Sequence, residues 1–232
     1  MKKRKSRYAA MSSTEKALGW LYMAISLLAL PTALRWFNGQ LAAPMNAGTL
    51  NFVYYLINFF SMVCIFRHFL WDSLADAWQN IWDWIQAVIL GYVAYRVCGY
   101  VMDAVMSRLL PEFTNVNDAS ISAMAGEAYL LMAVGVVLLV PPAEELLYRG
   151  LIFRSLWRRS KAAGYLVSMA AFAAIHVVGY IGSASPATLV ICFLQYLPAG
   201  ACLAWTYSKA DNIFAPMAVH AIVNAVAIGA LR

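Results

Sequence analysis

Apolar positions in this chain come in long unbroken runs, not in the alternation expected of half-buried strands or amphipathic helices. Ala17 to Leu34 is uncharged, Thr49 to Phe66 is uncharged, and the 47 residues from Ala162 to Ser208 contain no Asp, Glu, Lys or Arg. A membrane-crossing helix needs ~20 mostly apolar residues. The runs predict spans at about 17–35, 49–67, 84–106, 162–181, 187–207 and 212–231, with another starting near Ala128 and ending at Pro141-Pro142. Beyond those prolines the helix resumes or kinks into Ala143–Trp157, because proline has no N–H and clashes with the preceding turn. The 47-residue run is about twice a membrane thickness, so Gly182 to Pro186 reads as its hairpin. The 84–106 span is interrupted by Arg96 and Asp103, seven residues apart on one face, which are expected to point into the bundle and find partners. The stretch 107–126, with Pro111, Asn115, Asn117 and Asp118, reads as a polar linker. The fold class is all-α: a polytopic transmembrane helical bundle of about seven spans, with six or eight as alternatives.

Composition supports this reading. The chain has 232 residues, 63% hydrophobic and 12% charged, with a mean hydropathy of +0.67. Soluble domains carry about twice that charge. An ordinary soluble enzyme, a disordered chain and a coiled coil are excluded. The net charge of +6 does not point to nucleic acid. Lys2, Lys3, Arg4, Lys5, Arg7 and Lys16 abut the first span, and Arg154, Arg158, Arg159 and Lys161 abut another, as cytoplasmic anchors do. With the N-terminus inside, segments 1–16, 68–83, 154–161 and 208–211 lie on the cytoplasmic side. Residues 68–83 are acidic for such a loop and rich in Trp, which suggests an interfacial helix. His68 reads as interfacial too. Cys64, Cys98, Cys192 and Cys202 form no CxxC and read as small core hydrophobes. The first run is long for a signal sequence and lacks a small-residue cleavage site, so it reads as a retained span.

The polar exceptions carry the chemistry, since ionisable residues inside a bilayer cost roughly 2.5–3.5 kcal/mol each on insertion scales. Glu144, Glu145 and Arg149 follow the Pro-Pro break. His176 lies in one later span, and His220 and Asn224 in another. Glu145 and Arg149 are i,i+4 and can pair, which also reads as a purely structural ion pair. Glu144 points some 100° away, so one arginine does not easily serve both acids. A carboxylate without its own cation is the group a general base requires. At 1.5 Å per residue, Glu144, His220 and His176 lie roughly 15, 14 and 21 Å from the inner ends of their spans. Members of one site must share a depth, and these do.

Glu144-Glu145-Leu-Leu-Tyr-Arg149, Phe172-Ala-Ala-Ile-His176 and His220-Ala-Ile-Val-Asn224 resemble the EExxxR, FxxxH and HxxxN motifs of the CAAX-processing and bacteriocin-immunity intramembrane proteases, the type II CAAX prenyl endopeptidases. The resemblance covers about residues 128–228. It implies a four-helix catalytic core over 128–232; residues 1–127, which read as a basic tail and three accessory spans, carry no part of the resemblance. By the resemblance, Glu144 activates water and His176 assists it. His220 and Asn224 stabilise the oxyanion, while Glu145, Arg149 and Phe172 support the site. No cofactor is required; the alternative is zinc on Glu144, His176 and His220. The substrate is a membrane-embedded or lipid-modified protein or peptide, surrounded by membrane lipid, with no nucleic acid involved. A non-catalytic bacteriocin-immunity or partner-binding protein is the alternative function, and an ion-coupled transporter a third, disfavoured because no repeat is visible. The expected location is the plasma membrane of a prokaryote, with the N-terminus cytoplasmic.

Overall fold

The structure is a computed structural model that describes residues 10–232. Lys2, Lys3, Arg4, Lys5 and Arg7 lie outside the described residues. Among the described residues, eight helical rods follow one another: α1 Ser13–Gly39, α2 Ala47–Ile65, α3 Arg67–Gln79, α4 Ile81–Leu109, α5 Val116–Trp157, α6 Lys161–Val178, α7 Pro186–Ala210 and α8 Phe214–Gly229. Six of them (α1, α2, α4, α5, α6 and α7) are long and apolar enough to cross a membrane, and α8 is a shorter apolar helix. The chain is an integral membrane protein of the all-α class. Leu28, Tyr100 and Leu130 are each more than 75% exposed, which water would penalise and lipid does not.

Side chains close the helix ends. Ser12 and Glu15 cap each other's backbone N–H groups at the start of α1, at 3.1 and 2.7 Å. The other carboxylate oxygen of Glu15 accepts from Phe69 N at 3.0 Å, which caps α3 as well. Asn46, Asn115, Ser160 and Ser185 cap α2, α5, α6 and α7. α7 stops where Asp211 takes a left-handed conformation at φ 55°.

Three expectations need correction. The stretch 107–126 is not all linker, because α5 already starts at Val116, where Asn115 caps it and Ile121 and Met124 find apolar partners. The expected start near Ala128 survives as a break, with Ala128 at φ −150°, ψ 58°. Arg96 and Asp103 do not face the interior; both are exposed. α4 packs through the small residues Ala87 and Gly91, where Gly91 lies against Thr206 of α7, and this turns the charged side outward. Of the cysteines, Cys192 and Cys202 are buried as expected, whereas Cys64 is exposed.

Proline shapes α1 and α5. In each, a five-residue wide turn precedes the proline, Ile25–Ala29 before Pro31 and Gly135–Leu139 before Pro141-Pro142. A residue without an N–H leaves upstream carbonyls unpaired and crowds the turn, and a wider turn relieves both. α5 therefore runs on past the prolines, through a second wide segment at Leu146–Phe153. α2, α6 and α8 surround α5, and α7 packs on α6 and α4.

The described parts of the four segments assigned to one membrane side lie at one end of the bundle. Glu15 reaches Phe69, and Asn212 Nδ2 donates to Ser73 O at 2.7 Å and to Asp76 at 3.3 Å. Arg154 Nη1 donates to Tyr207 Oη at 2.9 Å at the same end. On α3 and at the start of α4, Trp71, Trp78 and Trp82 are exposed, and so is His68.

α6 and α7 approach closely at Gly200, where an added Cβ would lie 2.9 Å from the Met169 backbone. Backbone cannot yield cheaply, so Gly200→Ala should push the two helices apart. We expect it to lower the melting temperature of the detergent-solubilised protein by several degrees, as a cost of about 1–3 kcal/mol implies for overpacking.

Candidate active site

The wide turns of α5 set the site. They place Glu144 and Glu145 just past the prolines, with Arg149 one turn on. Glu145 and Arg149 are fully buried, and Glu145 Oε1 accepts from Arg149 Nη1 at 2.9 Å. The pair expected from the i,i+4 spacing is present. Arg149 Nη2 also donates to the Gly200 carbonyl of α7 at 2.9 Å, and its guanidinium lies 4.5 Å over the Phe172 ring of α6. One arginine, held by its ion pair within α5, thereby ties α5 to α7 through a hydrogen bond and to α6 through a cation–π contact.

The same Glu145 oxygen takes a second hydrogen bond. His220 Nδ1, from α8, lies 2.9 Å from Oε1. A carboxylate that also accepts from a guanidinium has no proton to give, so Nδ1 carries the hydrogen. Nε2 of His220 lies outside this contact. His176 is fixed in the same sense: its Nδ1 lies 2.8 Å from the Phe172 carbonyl, an obligate acceptor, and this too leaves Nε2 open. Both histidines are held by one nitrogen and offer the other.

Phe172 is the hub between them. Its ring lies 4.7 Å from His176, 5.8 Å from His220 and 5.7 Å edge-on from Tyr148. This explains why a phenylalanine one turn before the histidine belongs to the second motif. On its other side, His176 stacks on Tyr196 of α7 at 4.2 Å and 24°. The Tyr196 hydroxyl donates to Asp118 at 2.6 Å and accepts from Asn117 at 3.0 Å. Sequence reasoning missed this clamp. Its one outward sign is a tyrosine inside an uncharged span.

Glu144 is separate from the Glu145 pair. It is half-buried, and its Oε2 is buried without a hydrogen-bond partner among the described residues. Tyr54 and Tyr55 of α2, together with Tyr148, lie within its electrostatic reach, and so does His176. A buried acceptor left unpaired is costly and draws a donor such as water. Asn224, half-buried, uses one amide hydrogen on the Val136 carbonyl at 2.7 Å. In a wide turn the partner of that carbonyl would be residue 141, which is proline. Asn224 supplies the donor that Pro141 lacks and so fastens α8 to α5. Its second amide hydrogen remains available.

The zinc alternative needs Glu144, His176 and His220 to converge as ligands. Among the described residues, no group of three or more His, Cys, Asp or Glu is placed to hold a metal ion. The set does not fit a metal as it stands.

All three motifs therefore meet around Phe172, and all fall within one matched segment. Residues 126–226 match the Type II CAAX prenyl endopeptidase Rce1-like family. The resemblance read from the three motifs holds over this Rce1-like segment. The chain is also similar to the UPF0177 protein YxdF of Lactococcus lactis subsp. lactis (strain IL1403), with 30% identity over 109 residues, 47% of this chain and 55% of that protein. The chain thus spans about half the length of the curated relative it matches. No solved structure gives a significant match.

Proposed function

We propose that the protein is an intramembrane endopeptidase that hydrolyses a peptide bond of a membrane-associated substrate, of CAAX-like C-terminal or other peptide type. The observation that carries this reading is the open Nε2 on each of two anchored histidines, beside a carboxylate, Glu144, with a buried unpaired oxygen. The Rce1-like segment supports the peptidase class.

In this mechanism Glu144 takes a proton from water while His176 Nε2 orients it. The water oxygen attacks the scissile carbonyl and forms a tetrahedral intermediate. His220, protonated on Nε2 and balanced by Glu145, donates to the oxyanion, as does the second amide hydrogen of Asn224. Glu144 then passes its proton to the leaving amine, the C–N bond breaks, and a new carboxylate and a new amine result. Proton transfer of this kind supplies on the order of 10²–10⁴ in rate. Arg149, Glu145 and Phe172 hold the groups in place and touch no reacting atom. A serine or cysteine nucleophile is not part of the scheme, so the oxygen added to the product comes directly from water.

The test is hydrolysis of a membrane-anchored peptide by the purified protein in lipid nanodiscs made up in H₂¹⁸O. The reading expects one ¹⁸O in the new C-terminal carboxylate under single turnover. Lack of any cleavage across a panel of prenylated and unprenylated anchors would contradict it.

No metal enters this mechanism. Treatment with a strong chelator is expected to leave turnover within about twofold of its starting value. Loss of turnover on chelation with recovery on adding zinc would refute that part of the reading.

A further inference from the structure

The mechanism leaves unused a cavity of about 270 Å³ at the basic end of the bundle, lined by Phe153, Arg154, Trp157, Arg158, Tyr207 and Asp211 among others. It lies where α5 ends against the last turn of α7. That is about one to two and a half turns along α5 from Arg149, and apart from the Glu144 site. Its volume is just below the ~300 Å³ at which pockets for drug-sized ligands begin, the size of a headgroup rather than of a peptide.

Its walls differ in chemistry. One wall is aromatic and fixed: Phe153 stacks on Trp157 at 4.9 Å and meets Tyr207 edge-on at 5.7 Å. The other is cationic. Arg154 is held by its 2.9 Å hydrogen bond to the Tyr207 hydroxyl. Arg158 is exposed, and no hydrogen bond or ion pair engages it among the described residues. Asp211 contributes the one acidic side chain, and it has partners of its own. Arg159 and Lys161 follow in sequence, both exposed, with Lys161 5.3 Å over the Trp157 ring. The surroundings of the cavity are thus net positive. Interfacial tryptophan and tyrosine sit at headgroup level in a bilayer, and basic pockets between membrane helices take anionic headgroups.

We propose that this cavity binds the phosphate headgroup of an anionic phospholipid. Arg158 and Arg154 face the phosphate, and the Phe153–Trp157–Tyr207 wall carries the glycerol and the start of the acyl chains. A lipid held here packs α5 against α7 at the end of the rod that carries Glu144 and Arg149.

The test uses the purified full chain in neutral detergent. Its melting temperature is followed while a short-chain phosphatidylglycerol, a short-chain phosphatidylcholine or inorganic phosphate is added. Phosphatidylglycerol is expected to raise the melting temperature saturably; the other two are expected not to. Arg158 is exposed, so Arg158→Gln should fold as the parent does. It should need about fivefold more phosphatidylglycerol for the same shift, the contribution of one basic residue at an anionic headgroup. Arg35→Gln, an exposed arginine at the opposite end of α1, should respond as the parent does. Equal shifts with phosphatidylcholine would overturn the proposal, as would the full shift with inorganic phosphate alone or an unchanged response in Arg158→Gln.

Discussion

Glu144→Gln is expected to lower peptide hydrolysis by on the order of 10²–10⁴-fold with little change in substrate binding or in folding. Glutamine keeps the shape of the side chain and loses the ability to take a proton. Glu144 is half-buried and no group among the described residues is bonded to its Oε2, so the substitution breaks no hydrogen bond at that oxygen. The check is single-turnover cleavage in nanodiscs beside the melting temperature of the same sample. A variant that melts normally and still cleaves at the parental rate removes Glu144 from the chemistry. The bacteriocin-immunity or partner-binding alternative predicts the opposite separation, with binding to a partner retained by Glu144→Gln and no cleavage by either protein. A transporter reading predicts altered ion coupling instead.

Arg149→Ala has the largest expected effect on folding. The side chain is fully buried, pairs with Glu145 at 2.9 Å, donates to the Gly200 carbonyl at 2.9 Å and covers the Phe172 ring at 4.5 Å. Its removal leaves a buried carboxylate without its cation and takes the side-chain donor from a helix carbonyl of α7. Breaking one side of such a pair costs about 3–5 kcal/mol, a large part of the ~5–15 kcal/mol that holds a typical protein folded. Arg149→Lys is expected to fail almost as badly, because one ammonium cannot span the carboxylate and the carbonyl as a planar fork does. The measurement is the fraction of each variant recovered as a monodisperse species after detergent extraction. Parental recovery of Arg149→Ala would show that the ion pair does not organise the bundle.

The two substitutions separate the two acids of the first motif, and that separation was only half legible in the sequence. Spacing alone places Glu145 and Arg149 on one face and turns Glu144 away, and the structure has both features. The hydrogen bond from His220 to Glu145 joins residues 75 positions apart, and no local pattern announces it. It makes Glu145 the partner of a histidine as well as of an arginine. The role of Asn224 was partly readable: two adjacent prolines leave carbonyls without donors, so some side chain had to supply one, but only the packing of α8 on α5 identifies which. Asp118 and Tyr196 were hidden because the first lies in a stretch that reads as linker and the second in a stretch that reads as plain span.

The helix count followed from run lengths because a bilayer allows few other solutions. The outward placement of Arg96 and Asp103 breaks the expectation that charged residues in a span face inward. Small residues on the opposite side of α4, against Thr206, decide its rotation, and a run of hydropathy does not report which side is small. The wide turns before Pro31 and Pro141 keep α1 and α5 continuous where a break or kink was the alternative. In α5 this continuity holds Glu144, Glu145 and Arg149 on one rod that α2, α6, α7 and α8 can reach.

The central claim, that this bundle hydrolyses peptide bonds with Glu144 as base, is tested most directly by comparing membrane-protein C-termini. The comparison is between cells carrying the parent chain and cells carrying Glu144→Gln at equal levels. The account predicts a set of new C-terminal ends present only with the parent, each starting from a membrane-associated protein. Identical termini in the two cell lines, with both proteins folded and in the membrane, would contradict it.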